Sequence, residues 1–147
     1  MDVNIKEVNI IIITQSCDLL QRKTDTILVC TYYTLEQLES VPFFKNPVGK
    51  EVLRRGNIVY LHLLNKCILP GWESSFIVVD FRKVYSIDRN LLNEISINQG
   101  TRLRLLSPYR EQLSQSFARY IMRVGLPTDI PPFANEIYQL EIKSTET

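Results

Sequence analysis

The chain reads as an α+β domain: a small, bent antiparallel sheet or half-barrel covered by a long C-terminal helix. Three observations predict this. Short runs rich in β-branched and aromatic residues recur at Ile10–Ile13, Thr26–Tyr33, Ile58–Leu64 and Phe76–Phe81, separated by turn-forming residues. Capping and breaking residues mark helices between and after these runs. One long amphipathic pattern, Pro108–Val124, lies near the C-terminus, where it can lay a single apolar stripe on a sheet.

Size and composition narrow the reading. The 147 residues suit a single domain over 1–147, with a compact part over about 8–127 and a tail over 128–147. Hydrophobic residues make up 45% and charged residues 22%, a globular balance that excludes wholesale disorder. The net charge of +1 excludes a strongly basic surface as the dominant feature and leaves room for a local patch. No apolar run is long enough to cross a bilayer, so no membrane role is expected. The opening MDVNIKEV lacks the layout of a signal peptide, and a cytoplasmic location is expected. Cys17, Cys30 and Cys67 are an odd number without paired spacing, hence free thiols. With one histidine, His62, and no CxxC, no metal or cofactor is expected.

The elements follow in order. Val8–Thr14 is apolar on both alternating faces, as in a strand buried on both sides. A polar stretch, Gln21–Asp25, leads into the strand Thr26–Tyr33. Thr34-Leu35-Glu36-Gln37 fits a capping box and predicts a short helix. Asn46-Pro47 opens another helix, which Gly56 stops. Strands are then expected at Ile58–Leu64 and Phe76–Phe81, the latter continuing through a bend into Val84–Ile87. Asp88 caps a turn of helix holding Leu91 and Leu92, and Arg102–Leu106 alternates like a last strand. Ser107 caps and Pro108 opens the long helix, whose stripe is Leu113, Phe117, Tyr120, Ile121 and Val124. Gly125 and Pro127 end it, and Ile137–Ile142 can add a short strand.

The TQSCD stretch at Thr14–Asp18 raises the sharpest functional question, because it ends an apolar strand in polar and reactive groups. Alternation puts Gln15 and Cys17 on one side, and Thr14, Ser16 and Asp18 on the other. In a structural role, Ser16 and Asp18 satisfy turn backbone and Cys17 fills the core. In a binding role the cluster lines a pocket, with Asp18 accepting and Gln15 and Ser16 donating. Cys17 would be reactive only with a base in reach. His62 shares the apolar face of Ile58, Tyr60 and Leu64, which favours a structural role.

The long helix carries the other candidates. Arg110 projects into the apolar sector near Phe117 and Ile121, so it needs a carboxylate, Asp18 by preference or Asp80. That pair would dock the helix on the TQSCD turn. Arg119 and Arg123 lie in a row beside the stripe. They form either a solvated face or, with Arg102, Arg104 and Tyr109, a phosphate-binding patch with an aromatic for stacking single-stranded RNA. Arg54 and Arg55 complement a helix C-terminus. Trp72, after Pro70-Gly71, is either an exposed anchor for a partner or a lid on the core.

Two stretches, IIITQSCDL at Ile11–Leu19 and LSPYREQLSQSFARYIMRVGLP at Leu106–Pro127, together resemble a family of uncharacterised bacterial proteins that look like PemK/MazF-type toxin barrels. The resemblance implies an SH3-like small barrel with added helices, in a bacterial toxin–antitoxin, stress or phage-defence setting. The toxins cut single-stranded RNA. They usually open with a Gly-Asp or Gly-Glu strand and an Arg-containing loop, whereas this chain starts almost directly at what would be the second strand. The resemblance therefore implies a non-catalytic binding or regulatory module with an open sheet edge. Another protein chain or a second copy would complete that edge. A ribonuclease or an RNA-binding toxin is the alternative.

Overall fold

A computed structural model of the protein describes residues 7–14, 19, 21 and 24–122. The Gln15–Asp18 cluster, Arg123 and the expected strand at Ile137–Ile142 lie outside the described residues. The described residues form an α+β fold: a four-stranded, open antiparallel sheet and five helices. In chain order these are β1 (Ile10–Ile12), β2 (Thr26–Thr34), α1 (Leu35–Leu38), α2 (Pro42–Lys45), α3 (Pro47–Arg54), β3 (Leu61–Leu64), β4 (Ile77–Asp88), α4 (Arg89–Gln99) and α5 (Tyr109–Ile121). The strand order is β1-β2-β4-β3.

Local chemistry accounts for the helix starts. The Thr34 hydroxyl accepts from the Gln37 N–H while the Gln37 side chain accepts from the Thr34 N–H, the reciprocal pair of a capping box. Asn46 caps α3 by accepting from the Gly49 N–H at 2.9 Å, with Pro47 in the first turn. Gly56 follows α3 with φ 69°, a left-handed position that stops a helix. Asp88 caps α4 through the N–H groups of Asn90 and Leu91. This cap starts an 11-residue helix, longer than the single turn expected there.

Alternation along the strands divides the core between two faces. One face carries Ile11, Ile13, Cys30, Val79 and Phe81, and α5 covers it with Leu113, Phe117 and Tyr120. The opposite face is split in two. Val78 and Leu61 pack under α1–α3 with Phe44 and Leu53, while Ile27 and Val29 pack under Leu92 of α4. Val29, Val78 and Val79 are fully buried, each contributing roughly 1.5–3 kcal/mol of apolar burial.

Several expectations need correction. Val8–Thr14 shortens to the three residues of β1, which lies at the sheet edge with Ile12 exposed. Strand β3 begins at Leu61, because Ile58–Tyr60 turn first and the Leu61 N–H closes on the Ile58 carbonyl. Arg102–Leu106 is not a strand; Arg102, Leu103 and Arg104 are exposed on a connection that brings Leu105 onto the α5 side of the sheet. Ser107 does not cap α5: the cap position is Pro108 and makes no side-chain cap bond. Within the apolar stripe, Ile121 is exposed rather than packed, and Val124 lies outside the described residues.

Candidate functional site

The polar centre of the molecule is built by a break in register. Cys30 opposes Val84, but the next residue of β2, Thr31, opposes Asp80. Phe81, Arg82 and Lys83 are therefore extra residues on β4, a bulge that bends and twists the strand. Phe81 turns into the core, 1% exposed, and its N–H donates to the Tyr60 carbonyl at 2.9 Å. Arg82 and Lys83 turn outward and are exposed.

Asp80 is 2% exposed, an expensive place for a carboxylate without partners. Arg82 supplies them. Asp80 Oδ1 accepts from the Arg82 backbone N–H at 3.0 Å and from its Nε at 2.9 Å, and Oδ2 accepts from Nη2 at 2.8 Å. The guanidinium also lies 4.2 Å from the centroid of the Tyr60 ring, a cation–π stack. The Asp80 carboxylate, followed by weaker effects of Tyr60 and Tyr120, holds Arg82 above its usual pKa. Lys83 Nζ donates to the Tyr33 hydroxyl at 2.5 Å and sits 5.2 Å from that ring. This bond draws the Tyr33 phenol below its ordinary pKa and lifts Lys83 above its own. Two cations thus stand against one buried carboxylate, each leaning on a tyrosine.

The bulge lies where the sheet loses a strand. Strand β3 pairs only with Ile77–Asp80, and among the described residues no strand flanks Val84–Asp88 on that outer side. The ladder fixes which backbone groups face the gap. The Arg89 N–H donates to the Asp25 carbonyl, so Tyr85 and Ile87 turn their polar groups toward β2. Val84 and Ser86 then turn theirs outward. The Leu28 carbonyl agrees with this phase: it accepts from Ile13 and Thr14 on the β1 side, away from its β4 partner Ser86. At its end α4 lies near β1, where Gln99 shares a surface hollow with Glu7, Val8 and Asn9. The connection to α5 therefore starts from the β1 side of the sheet.

Arg110 is half-buried and pairs with its neighbour Glu111, Nη2 to Oε1 2.7 Å, which holds Glu111 below the usual carboxylate range. The alternative partner Asp80 belongs to Arg82 instead, and Asp18 lies outside the described residues. Tyr109 and Arg119 are both exposed, but they stand at opposite ends of α5, about 15 Å apart along its axis. Arg102 and Arg104 are exposed before the helix. Gln15, Ser16, Cys17 and Arg123 cannot be placed beside them, being outside the described residues. Trp72 is exposed in a turn closed by its N–H on the Leu69 carbonyl, with Gly71 at φ 79° after Pro70.

Among the described residues, Cys30 and His62 lie on the α5 side of the sheet, across from the bulge's polar face. Burial, with a smaller contribution from Asp80, pushes the Cys30 thiol up to about 11. His62 stacks 6.3 Å from Phe81 on the α5 side of the sheet, and burial lowers its pKa. Tyr60 and Ile58, expected on the same face as His62, pack in the opposite cluster because they precede the strand. Among the described residues, no group of three His, Cys, Asp or Glu side chains could hold a metal ion, and no helix is long and apolar enough to cross a membrane.

The Asp80–Arg82–Tyr60 and Lys83–Tyr33 contacts were not anticipated from the sequence. Their signal was an acid inside an apolar run, FIVVDF, followed at once by Arg-Lys. Comparison of the chain with protein-family models, curated proteins and solved structures finds no match.

Proposed function

We propose that the protein is a non-catalytic binding and regulatory module that acts by protein–protein contact along the outer side of β4. The observation that carries this reading is the stretch Val84–Asp88, whose outward backbone groups have no strand partner among the described residues. Unpaired edges are templates for another chain. The chemistry of the site supports binding over catalysis. The Cys30 thiol is buried and held protonated up to about 11. His62 lies across the sheet from Asp80, in an apolar setting that disfavours its charged form.

We read the sheet as part of a small SH3-like half-barrel, bent at the Phe81–Lys83 bulge and covered on one face by α5 as its long C-terminal helix. The resemblance to PemK/MazF-type barrels would place the module in bacterial stress or phage-defence regulation, in the cytoplasm. The other chain is a different protein or a second copy.

A second reading, binding or cleavage of single-stranded RNA, draws on the exposure of Arg102, Arg104, Tyr109 and Arg119. One experiment separates the two. A photo-crosslinking residue at Tyr85 should give a protein adduct in cells that Ser86→Pro removes. Labelled single-stranded RNA should show neither anisotropy change nor cleavage, even at low salt. Salt-sensitive RNA binding lost in Arg119→Ala, with no Tyr85 adduct, would reverse the assignment.

A further inference from the structure

Building on that reading, we propose that the partner enters as an extended segment bearing an acidic side chain. It adds to β4 beside Val84–Ile87 and places its carboxylate on Arg82.

The position follows from topology. Strand β3 reaches along β4 only to the Leu61–Asp80 pair. The Phe81 N–H still meets the chain of β3 at the Tyr60 carbonyl. Arg82 is the next residue, so it stands at the mouth of the gap. Beyond it, the N–H and C=O of Val84 and Ser86 point outward at strand spacing. A strand laid there continues the line of β3 and satisfies these groups. Backbone pairing of this kind supplies affinity, and side-chain contacts supply choice of partner.

The choice falls on an acid because of how Arg82 is held. Its side chain is 54% exposed, yet the buried Asp80 and the Tyr60 ring fix its plane. Asp80 takes the Nε–H and one Nη2 hydrogen. A guanidinium carries five N–H donors, so three remain for a ligand on a group whose orientation is already set. A fixed fork of this type matches a carboxylate and loses little freedom on binding it. Lys83 adds a second exposed cation next to it. The local balance of two cations to one carboxylate favours an acidic segment and opposes a basic one. Tyr85, 51% exposed, offers the incoming strand an aromatic neighbour.

The test uses the full chain and short labelled peptides of alternating Thr and Val, with one Glu at successive positions or one Lys in its place. Anisotropy should show the best Glu peptide binding tighter than its Lys counterpart by about ten-fold or more. Arg82→Gln should erase that preference, and Lys83→Gln should reduce it without touching the Asp80 contact. Ser86→Pro should abolish binding of every peptide while the far-ultraviolet spectrum and melting curve stay native, because the amide it removes points away from β2. Equal binding of Glu and Lys peptides, or binding indifferent to Ser86→Pro, would overturn the inference. Concentration-dependent dimerisation abolished by Ser86→Pro, with no peptide binding, would assign the gap to a second copy and overturn the acidic segment. A persistent Tyr85 adduct with no peptide binding would remove this inference alone. Loss of both would remove the protein-binding reading as well.

Discussion

Asp80 and Arg82 stand two residues apart on one strand and close on each other through three hydrogen bonds of 2.8–3.0 Å. The register break supplies the space, since neither Arg82 nor Lys83 has a residue opposite it in the β2 ladder. The carboxylate is 2% exposed whereas the guanidinium side is half in water. Arg82→Ala would thus strand a buried acid. It should cost about 2 kcal/mol in urea denaturation, below the range for a fully buried pair because water reaches one partner. Asp80→Asn should cost less. The double variant should cost clearly less than the sum, and strict additivity would mean the contact contributes nothing.

Gly49 marks a close approach between α3 and α2. A Cβ there would lie 1.9 Å from the Phe43 carbonyl oxygen, a backbone atom that cannot swing aside. Gly49→Ala, normally favourable in a helix, should instead destabilise the protein by about 3 kcal/mol as α2 and α3 are forced apart. Calorimetry would read this as a lower melting temperature. An unchanged or raised value would contradict the close approach.

The thiols should differ in reactivity. Cys30 is fully buried and held protonated up to about 11, first by burial and then by Asp80. Cys67 is only partly buried. Mass-spectrometric mapping after iodoacetamide treatment at mildly alkaline pH should find Cys67 modified and Cys30 intact. The linkage follows from the raised pKa. Below the usual thiol value of 9.0 the contribution to stability is fully present, and it is lost as pH rises toward about 11. Cys30→Ala should flatten that alkaline decline.

Glu51 is one contributor on the acid side. Its carboxylate accepts from Arg54 and Arg55 at 2.7 Å, and these bonds lower its pKa from 4.5 to about 2. A depressed pKa stabilises the fold above the unfolded value. That contribution is lost as pH falls from 4.5 through about 2. The group is exposed, so salt should weaken the effect. Carboxylate titration by NMR should place Glu51 at about 2, and Glu51→Gln should make acid unfolding less steep.

The sequence carried much of the fold because its signals are local. Thr34, Asn46 and Asp88 read as helix caps, and all three accept from the expected first-turn N–H groups. Thr26–Tyr33 read as a strand, and β2 spans it with one residue more. Non-local outcomes were not legible. Nothing near Cys30 announces that its neighbour skips three residues of β4, because the bulge is decided by the pairing of two distant segments. Arg102–Leu106 alternates as a strand should, yet the chain needs that stretch to carry it from α4 to α5. Arg110 was read as needing Asp18 or Asp80. Asp80 is already closed by Arg82, a partner that strand alternation alone does not identify.

Among the described residues no strand flanks the outer side of Val84–Asp88, and amide hydrogen exchange of the isolated full chain tests, residue by residue, whether that side is open. Tyr85 and Ile87 donate toward β2 and should be protected, whereas the Ser86 N–H between them should exchange far faster. That alternation, with Ser86 slowed only when a binding partner is added, is the predicted result. Equal protection of Tyr85, Ser86 and Ile87 in the monomer would mean that the chain already closes this edge itself, and would contradict the account.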